Sequence, residues 1–367
     1  MATTDCPYCW QVHRLSELML RCGEQCDHKG ELFPQKMLKN GRCPHGKLPQ
    51  VRRVCPNCKR ELLREYIECG GRNIALIGSA DAGKSTWVGV LVHEFQRGQV
   101  YARFPGVSLD LLGEQSRDRY KEDFEIPLFE QGRPVVQTHS ARVSAPEPLM
   151  FSLRFPQRGL LGSRVEPVVT VFYDTAGEDV TRAEKMDQLI HYLRAAEGII
   201  LLLDPLQMRG IRDQVGGSGE KRGFTEQLHV VNRLSELLRE GEPGSVGRRL
   251  KVPLAIALTK LDLLLGTFGP ESPLRQPSQH DGGYDESDGL DVHEEIRAWL
   301  DTRYDPAFHR TVDNSFRVYR YFGISTLGAP MVNGSKLSPE GVHPYRMEDP
   351  MLWLLAKFGV IRTRGRR

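Results

Sequence analysis

The chain has 367 residues, 40% of them apolar and 26% charged, which fits a soluble globular protein of two or three folding units and excludes a disordered or fibrous polypeptide. Its net charge of +3 is unevenly placed, with 12 Lys+Arg against 8 Asp+Glu in residues 1–70 and 38 against 39 beyond. No apolar stretch, Ile199 to Leu203 included, is long enough to span a bilayer, and no basic start precedes an apolar core, so a cytoplasmic chain without a transmembrane segment is expected.

Residues 1–70 contain all eight cysteines, Cys6, Cys9, Cys22, Cys26, Cys43, Cys55, Cys58 and Cys69. That concentration marks a small metal-stapled module and not a secreted disulfide framework. Cys6-Pro-Tyr-Cys9 and Cys55-Pro-Asn-Cys58 are tight knuckles that each present two thiolates to a tetrahedral Zn²⁺. The other four cysteines suffice for a second ion, with His28 and His45 in reserve. Two pairings fit the spacing: sequential sites, or Cys6/Cys9 with Cys55/Cys58 enclosing an inner site. Such a module has little apolar core, so one or two Zn²⁺ would supply folding free energy, and four-cysteine sites are closed and structural. Its basic excess forms no dense run and aromatics are sparse, which disfavours nucleic-acid contact.

Residues 72–78 read as a buried strand and 84–97 as a helix, with Gly78-Ser-Ala80-Asp81-Ala82-Gly83-Lys84-Ser85-Thr86 at the junction. This is a phosphate-binding loop: the glycines let backbone N–H groups converge on a phosphate, Lys84 reaches the β/γ oxygens, and the Ser85 hydroxyl is placed to hold Mg²⁺. Residues 98–148 read as a long insertion.

Strands are expected at 149–156 and 167–173, forming an antiparallel pair. The second ends in Asp174-Thr-Ala-Gly177, where an acid can hold Mg²⁺ through water and a glycine N–H can meet a γ-phosphate. A helix at 180–195, a strand at 198–204, an insertion near 207–223, a helix at 224–240 and a strand at 252–258 follow. That last strand runs into Thr259-Lys260-Leu-Asp262, in which a carboxylate can accept both N1–H and N2–H of guanine while the Lys260 stem covers the base. Residues 266–289 read as a surface insertion, ordered only by chance or by a partner, with a helix at 291–303, a strand at 315–322, a helix at 348–358 and a solvated basic tail at 362–367. Alternating strands and helices predict an α/β fold with a mostly parallel sheet between two helical layers, its ligand loops at the carboxyl ends of the strands.

Phosphate loop, Asp-x-x-Gly and Thr-Lys-x-Asp in this order resemble the P-loop GTPases of the Ras-like and translation-factor class over residues 72–360. The resemblance implies GTP and GDP as ligands with Mg²⁺, Asp174 and Gly177 as the second switch, and a base-contacting loop at Ser325 and Thr326. It also implies a first-switch threonine, for which Thr138 is the candidate. In that class Gln or His follows Asp-x-x-Gly and orients the attacking water; here Glu178 does, and its charge beside the γ-phosphate predicts slow intrinsic hydrolysis. The metal-binding leader, the long insertion and Asp174-Thr-Ala-Gly-Glu-Asp179 together look like the bacterial double-GTPase proteins inferred to act in conflict or defence systems, which implies a second GTPase or an effector protein as partner.

The domain reading is therefore a zinc-binding module at 1–70, a GTPase domain at 71–361 and a tail at 362–367. The leading expectation is a GTP-hydrolysing switch. Its alternatives are a non-hydrolysing GTP-binding scaffold and an ATP-dependent, nucleic-acid-associated ATPase.

Overall fold

The computed structural model describes residues 3–69, 71–79, 81–135, 148–159, 162–172, 186–208, 211, 227–240, 247–332 and 336–365. Its central sheet has seven strands: β1 (Gly71–Gly78), β2 (Ser108–Leu111), β3 (Leu149–Gly159), β4 (Gly162–Phe172), β5 (Gly198–Leu203), β6 (Leu254–Leu258) and β7 (Tyr319–Gly323). Their spatial order is β7-β6-β5-β1-β4-β3-β2. The five strands β7, β6, β5, β1 and β4 run parallel; at one edge β3 pairs antiparallel with β4, and β2 pairs antiparallel with β3.

The central strands are continuous apolar runs because both faces are covered. Gly-Ile-Ile-Leu-Leu-Leu in β5 and Leu-Ala-Ile-Ala-Leu in β6 are buried at every position. Ile77, Leu201, Leu203 and Ile256 face one core, shared with α3 (Gln227–Arg239), α4 (Glu286–Arg303) and α5 (Pro306–Ser315). Leu76, Ile200, Leu202 and Ala257 face the other, against α1 (Lys84–Gln96) and α6 (Asp349–Lys357). A further helix, α2 (Met186–Arg194), joins the first core through Tyr192 and Leu193. The expected three-layer, mostly parallel α/β architecture is thus the one formed.

Four features differ from the sequence expectation. Within the 98–148 insertion, residues 99–130 build helical segments and the edge strand β2. The last sheet strand starts at Tyr319 and not near 315: Asp305 caps α5 by accepting the Ala307 N–H at 2.8 Å, with Pro306 at its first position, the helix runs to Ser315, and Phe316 makes an isolated bridge to Leu250 before the strand begins. Residues 266–289 lie at the surface as expected but are anchored in the fold by buried side chains: Leu274, His280 and Tyr284 are fully buried. The tail is engaged with that same segment, Arg362 Nε donating to the Gly282 carbonyl at 3.1 Å and Arg364 to the Gln279 carbonyl at 2.9 Å.

Among the described residues, β1 pairs with β4 only over Gly71–Asn73. Past that point the buried Tyr192 hydroxyl accepts the Leu76 N–H at 3.0 Å and donates to the Ile74 carbonyl at 3.1 Å.

The N-terminal residues form a two-stranded pair, Thr3–Asp5 with Val12–Arg14, and a four-stranded antiparallel sheet ordered Leu32–Pro34, Met19–Cys22, Pro49–Val54, Glu61–Leu62. Trp10 packs on Tyr192 with ring centroids 5.1 Å apart, joining these strands to the first core. No helix among the described residues is long and apolar enough to cross a membrane.

Candidate functional site

The turn from β1 into α1 holds the phosphate loop. Gly78 passes so close to β5 that a Cβ there would lie 2.9 Å from the Leu202 carbonyl oxygen, so only glycine fits. Asp81 and Gly83 both have positive φ, 63° and 85°. The chain therefore curls into a concavity at the helix N-terminus, the geometry that gathers N–H groups around an anion. Lys84 Nζ is buried and donates to the carbonyls of Gly78 at 2.9 Å and Ser79 at 3.0 Å, which holds its charge across the loop. Ser79 Oγ is buried without a hydrogen-bond partner among the described residues. The sequence reading, fixed on the motif positions, passed over this hydroxyl. Ala82 is buried, and Ser85 and Thr86 are half-buried in the first turn of α1.

The base-reading candidates assemble at the carboxyl ends of β5, β6 and β7. The hydroxyl of Thr259 donates to the Leu203 carbonyl at 3.0 Å, tying the loop to β5. Lys260 adopts a left-handed φ of 54°, and its Nζ lies 2.6 Å from Asp204 Oδ2. Asp204, which ends β5 and is 1% exposed, also accepts the Leu206 N–H at 3.0 Å. Sequence reasoning missed Asp204; its position, an acid closing a fully apolar strand, was the available signal. Ser325 Oγ donates to Asp262 Oδ1 at 2.5 Å and accepts the Gly328 N–H at 3.0 Å. Its backbone is locked to Tyr345 by two hydrogen bonds of 2.9 and 2.8 Å. The segment picked for a base loop thus meets the Thr-Lys-x-Asp acid directly, with the half-buried Thr326 beside it.

Ala80, Thr138, Asp174, Gly177 and Glu178 lie outside the described residues. So do Arg366 and Arg367 and much of the insertion at 207–223.

The cysteines gather as two groups, Cys6, Cys9, Cys55 and Cys58, and Cys22, Cys26, Cys43 and His45, the ligand atoms of each within 4.8 Å of one another. Of the two pairings left open by spacing, the enclosing one is formed, and His45 stands where a fourth inner cysteine was expected. The Cys69 side chain lies outside the described residues. In the outer group Cys6 and Cys58 sulfurs are 3.6 Å apart and Cys9 and Cys55 sulfurs 3.7 Å. Zn–S bonds of about 2.3 Å at the tetrahedral angle give S···S edges of about 3.8 Å, so the donor set fits Zn²⁺, while a disulfide needs about 2.05 Å. Matching turns aim the thiols: Trp10 N–H bonds the Cys6 carbonyl at 2.8 Å and Lys59 N–H the Cys55 carbonyl at 3.1 Å, both at positive φ. Cys55 Sγ also lies 3.3 Å from His13 Nε2.

A family model described as Double-GTPase 2 matches residues 72–327. A curated relative from Mycolicibacterium smegmatis, "Putative ESX-1 scaffolding and assembly protein SaeC", is 29% identical over 338 residues, covering 84% of this chain and 80% of the relative. Solved structures with a similar outline include the signal recognition particle receptor SRb-GTP/SRX complex from Chaetomium thermophilum, at 15% identity and TM-score 0.32, covering 71% of this chain and 92% of that one. The S. cerevisiae Ski7 GTPase-like domain bound to GTP matches at 15% identity and TM-score 0.32, covering 79% of this chain and 50% of that one.

Proposed function

The chain belongs to the Double-GTPase 2 family, and from that premise we propose that it is a GTP-binding switch that hydrolyses GTP and signals to a protein partner. The observation that carries this reading is the meeting of Asp262 and Ser325 at the sheet end that also bears the phosphate loop. Asp262 accepts the guanine N1–H and N2–H, donors adenine lacks, and Ser325 fixes its carboxylate. Lys260, held at its ammonium end by Asp204, lays its stem over the base.

At the other end of the nucleotide, the loop N–H groups, the Ser79 hydroxyl and Lys84 receive the phosphates. The Ser85 hydroxyl and the Asp174 carboxylate are an all-oxygen donor set suited to Mg²⁺, which when bound neutralises charge on the β- and γ-oxygens. Gly177 offers its N–H to the γ-phosphate, Thr138 serves as the first-switch threonine, and Glu178 orients the attacking water. Glu178 also adds negative charge where charge develops, so turnover is slow until a partner acts. Loss of the γ-phosphate releases both switches.

The family's description, Double-GTPase 2, supports a second GTPase as partner; the bacterial conflict or defence setting is our reading of the same resemblance. The description of the mycobacterial relative as a scaffolding and assembly protein supports a partner that is itself being assembled. The cysteine groups serve as a zinc-stapled structural module. The test is a Mg²⁺-dependent titration with fluorescent GTP and ATP analogues, with Lys84→Ala as blank, followed by phosphate release over many turnovers. At least tenfold GTP preference, about 1.4 kcal/mol, with slow Lys84-dependent release is expected. Equal or ATP-favoured binding overturns the guanine reading, and GTP binding without release leaves a scaffold.

A further inference from the structure

We infer that the inner cysteine group is a second, chemically distinct Zn²⁺ site of Cys3His type, with His45 Nδ1 as its fourth ligand and His28 as the residue that positions His45. This inference rests on the zinc reading of the N-terminal module and is independent of the nucleotide reading.

The distances identify the ligand atom. Cys22 Sγ lies 3.6 Å from His45 Nδ1, and Cys26 Sγ lies 3.9 Å from Cys43 Sγ. A tetrahedral Zn²⁺ with Zn–S of about 2.3 Å and Zn–N of about 2.0–2.1 Å requires an S···N edge of about 3.6 Å and S···S edges of about 3.8 Å. Both edges are met without moving an atom far. The three thiols are buried, at 0%, 5% and 3% exposure for Cys22, Cys26 and Cys43, so the cage is open to solvent only through the imidazole.

Local backbone explains why His45 reaches it. Cys43 N–H donates to the Lys47 carbonyl at 2.8 Å and Gly46 N–H to the Cys43 carbonyl at 2.9 Å, with Gly46 at φ 76°. This turn puts Cys43 and His45 on one side. Opposite, Gly23 lets the loop bearing Cys22 and Cys26 close on the Leu48 carbonyl, where a Cβ would lie 2.4 Å from the oxygen.

The imidazole is also held from outside. Its ring stacks on that of His28, centroids 3.9 Å apart and planes 13° from parallel. Glu31 Oε2 anchors His28 Nδ1 at 3.1 Å and faces His45 Nε2 at 3.9 Å. Ligation through Nδ1 leaves a hydrogen on Nε2, and that hydrogen looks toward the carboxylate, the arrangement by which outer partners fix a metal-bound histidine. His28, Glu31 and His45 do not form a site of their own: the in-plane lone pairs of two stacked, near-parallel rings lie in separate planes and do not meet at one ion. Their stacking serves the inner cage.

The experiment is zinc quantification and Co²⁺ substitution on the full chain with four variants. Wild type is expected to retain two Zn²⁺ per chain after dialysis against a mild chelator. His45→Ala should retain one, and Cys69→Ser two. His45→Cys guards against simple misfolding: it should restore two ions and strengthen the thiolate-to-Co²⁺ charge-transfer band. His28→Ala should keep both ions while weakening the inner one about tenfold, within the range for lost outer-shell partners. Retention of two ions in His45→Ala, loss of one in Cys69→Ser, or a wild-type stoichiometry of one overturns the inference. No bound metal at all overturns the zinc reading of the module as well.

Discussion

The hydroxyl of Ser325 donates to Asp262 at 2.5 Å across 63 residues of sequence, joining two loops that leave neighbouring parallel strands. The bond orients a carboxylate by a neutral donor, and a charged acceptor makes it stronger than an ordinary hydrogen bond, about 1.5–3 kcal/mol. Ser325→Ala frees Asp262 to rotate. The expected result is GTP affinity lower by about tenfold, equivalent to about 1.4 kcal/mol, and a reduced preference for GTP over ATP. A fluorescence titration of both nucleotides checks it, and an unchanged preference would remove Ser325 from the base site.

Asp204 and Lys260 make a pair whose acid is buried and whose ammonium is partly exposed, at 1% and 31% of the side chain. Removing only the acid's charge leaves the ammonium half-desolvated without a counter-charge. Asp204→Asn, which keeps the shape and a carbonyl for the Leu206 N–H, should lose about 1–3 kcal/mol of stability. It should also weaken GTP binding, because the Lys260 stem is no longer held over the base. Lys260→Met in the same background should then cost little more. A double-mutant cycle measures this coupling, and strictly additive losses would show that the pair does not act as a unit.

How far the site was legible follows from how local its signals are. The phosphate loop and Thr259-Lys260-Leu-Asp262 are short, contiguous and set between a strand and a helix, so their place at the sheet end could be read directly. Ser325 was legible only as a position after the next strand; its bond to Asp262 depends on β6 and β7 being neighbours. Asp204 carries no motif, and its meaning comes from a lysine 56 residues away. The 266–289 segment looks like a loop because Gly, Pro and charge dominate it. Its anchoring comes from distant partners: Arg346 donates to the Gln276 carbonyl at 3.1 Å, and Ser278 to Asp349 at 2.9 Å. Likewise the spacing of Cys22, Cys26 and Cys43 was plain, but finding His45 as their neighbour required the fold, which sets its Nδ1 3.6 Å from Cys22 Sγ.

From a fully buried position the Tyr192 hydroxyl bonds both the Leu76 N–H and the Ile74 carbonyl of β1. Tyr192→Phe leaves the Leu76 N–H and the Ile74 carbonyl without that partner. A buried unsatisfied backbone group costs about 1–3 kcal/mol, so a loss of that order is expected. Urea unfolding should show a lower midpoint at unchanged slope. An unaltered midpoint would mean that the strand edge finds another partner.

His293 gives the stability a pH dependence of definite sign. Burial, then the charges of Arg320, Arg297 and His309, push it from 6.5 down to about 4. Its Nδ1 accepts the Tyr321 N–H at 3.0 Å, a bond only the neutral ring with a free Nδ1 can make. Between pH 6.5 and about 4 the unfolded chain binds a proton that the folded chain refuses. Stability from this residue is therefore complete above that window, is lost as pH falls through it, and levels off below about 4, with a full swing on the order of 3 kcal/mol. His293→Gln keeps an acceptor for Tyr321 and does not titrate. The difference in unfolding free energy between wild type and variant should shrink or reverse from pH 7 to pH 5, while parallel curves would show that His293 protonates as readily in the fold as out of it.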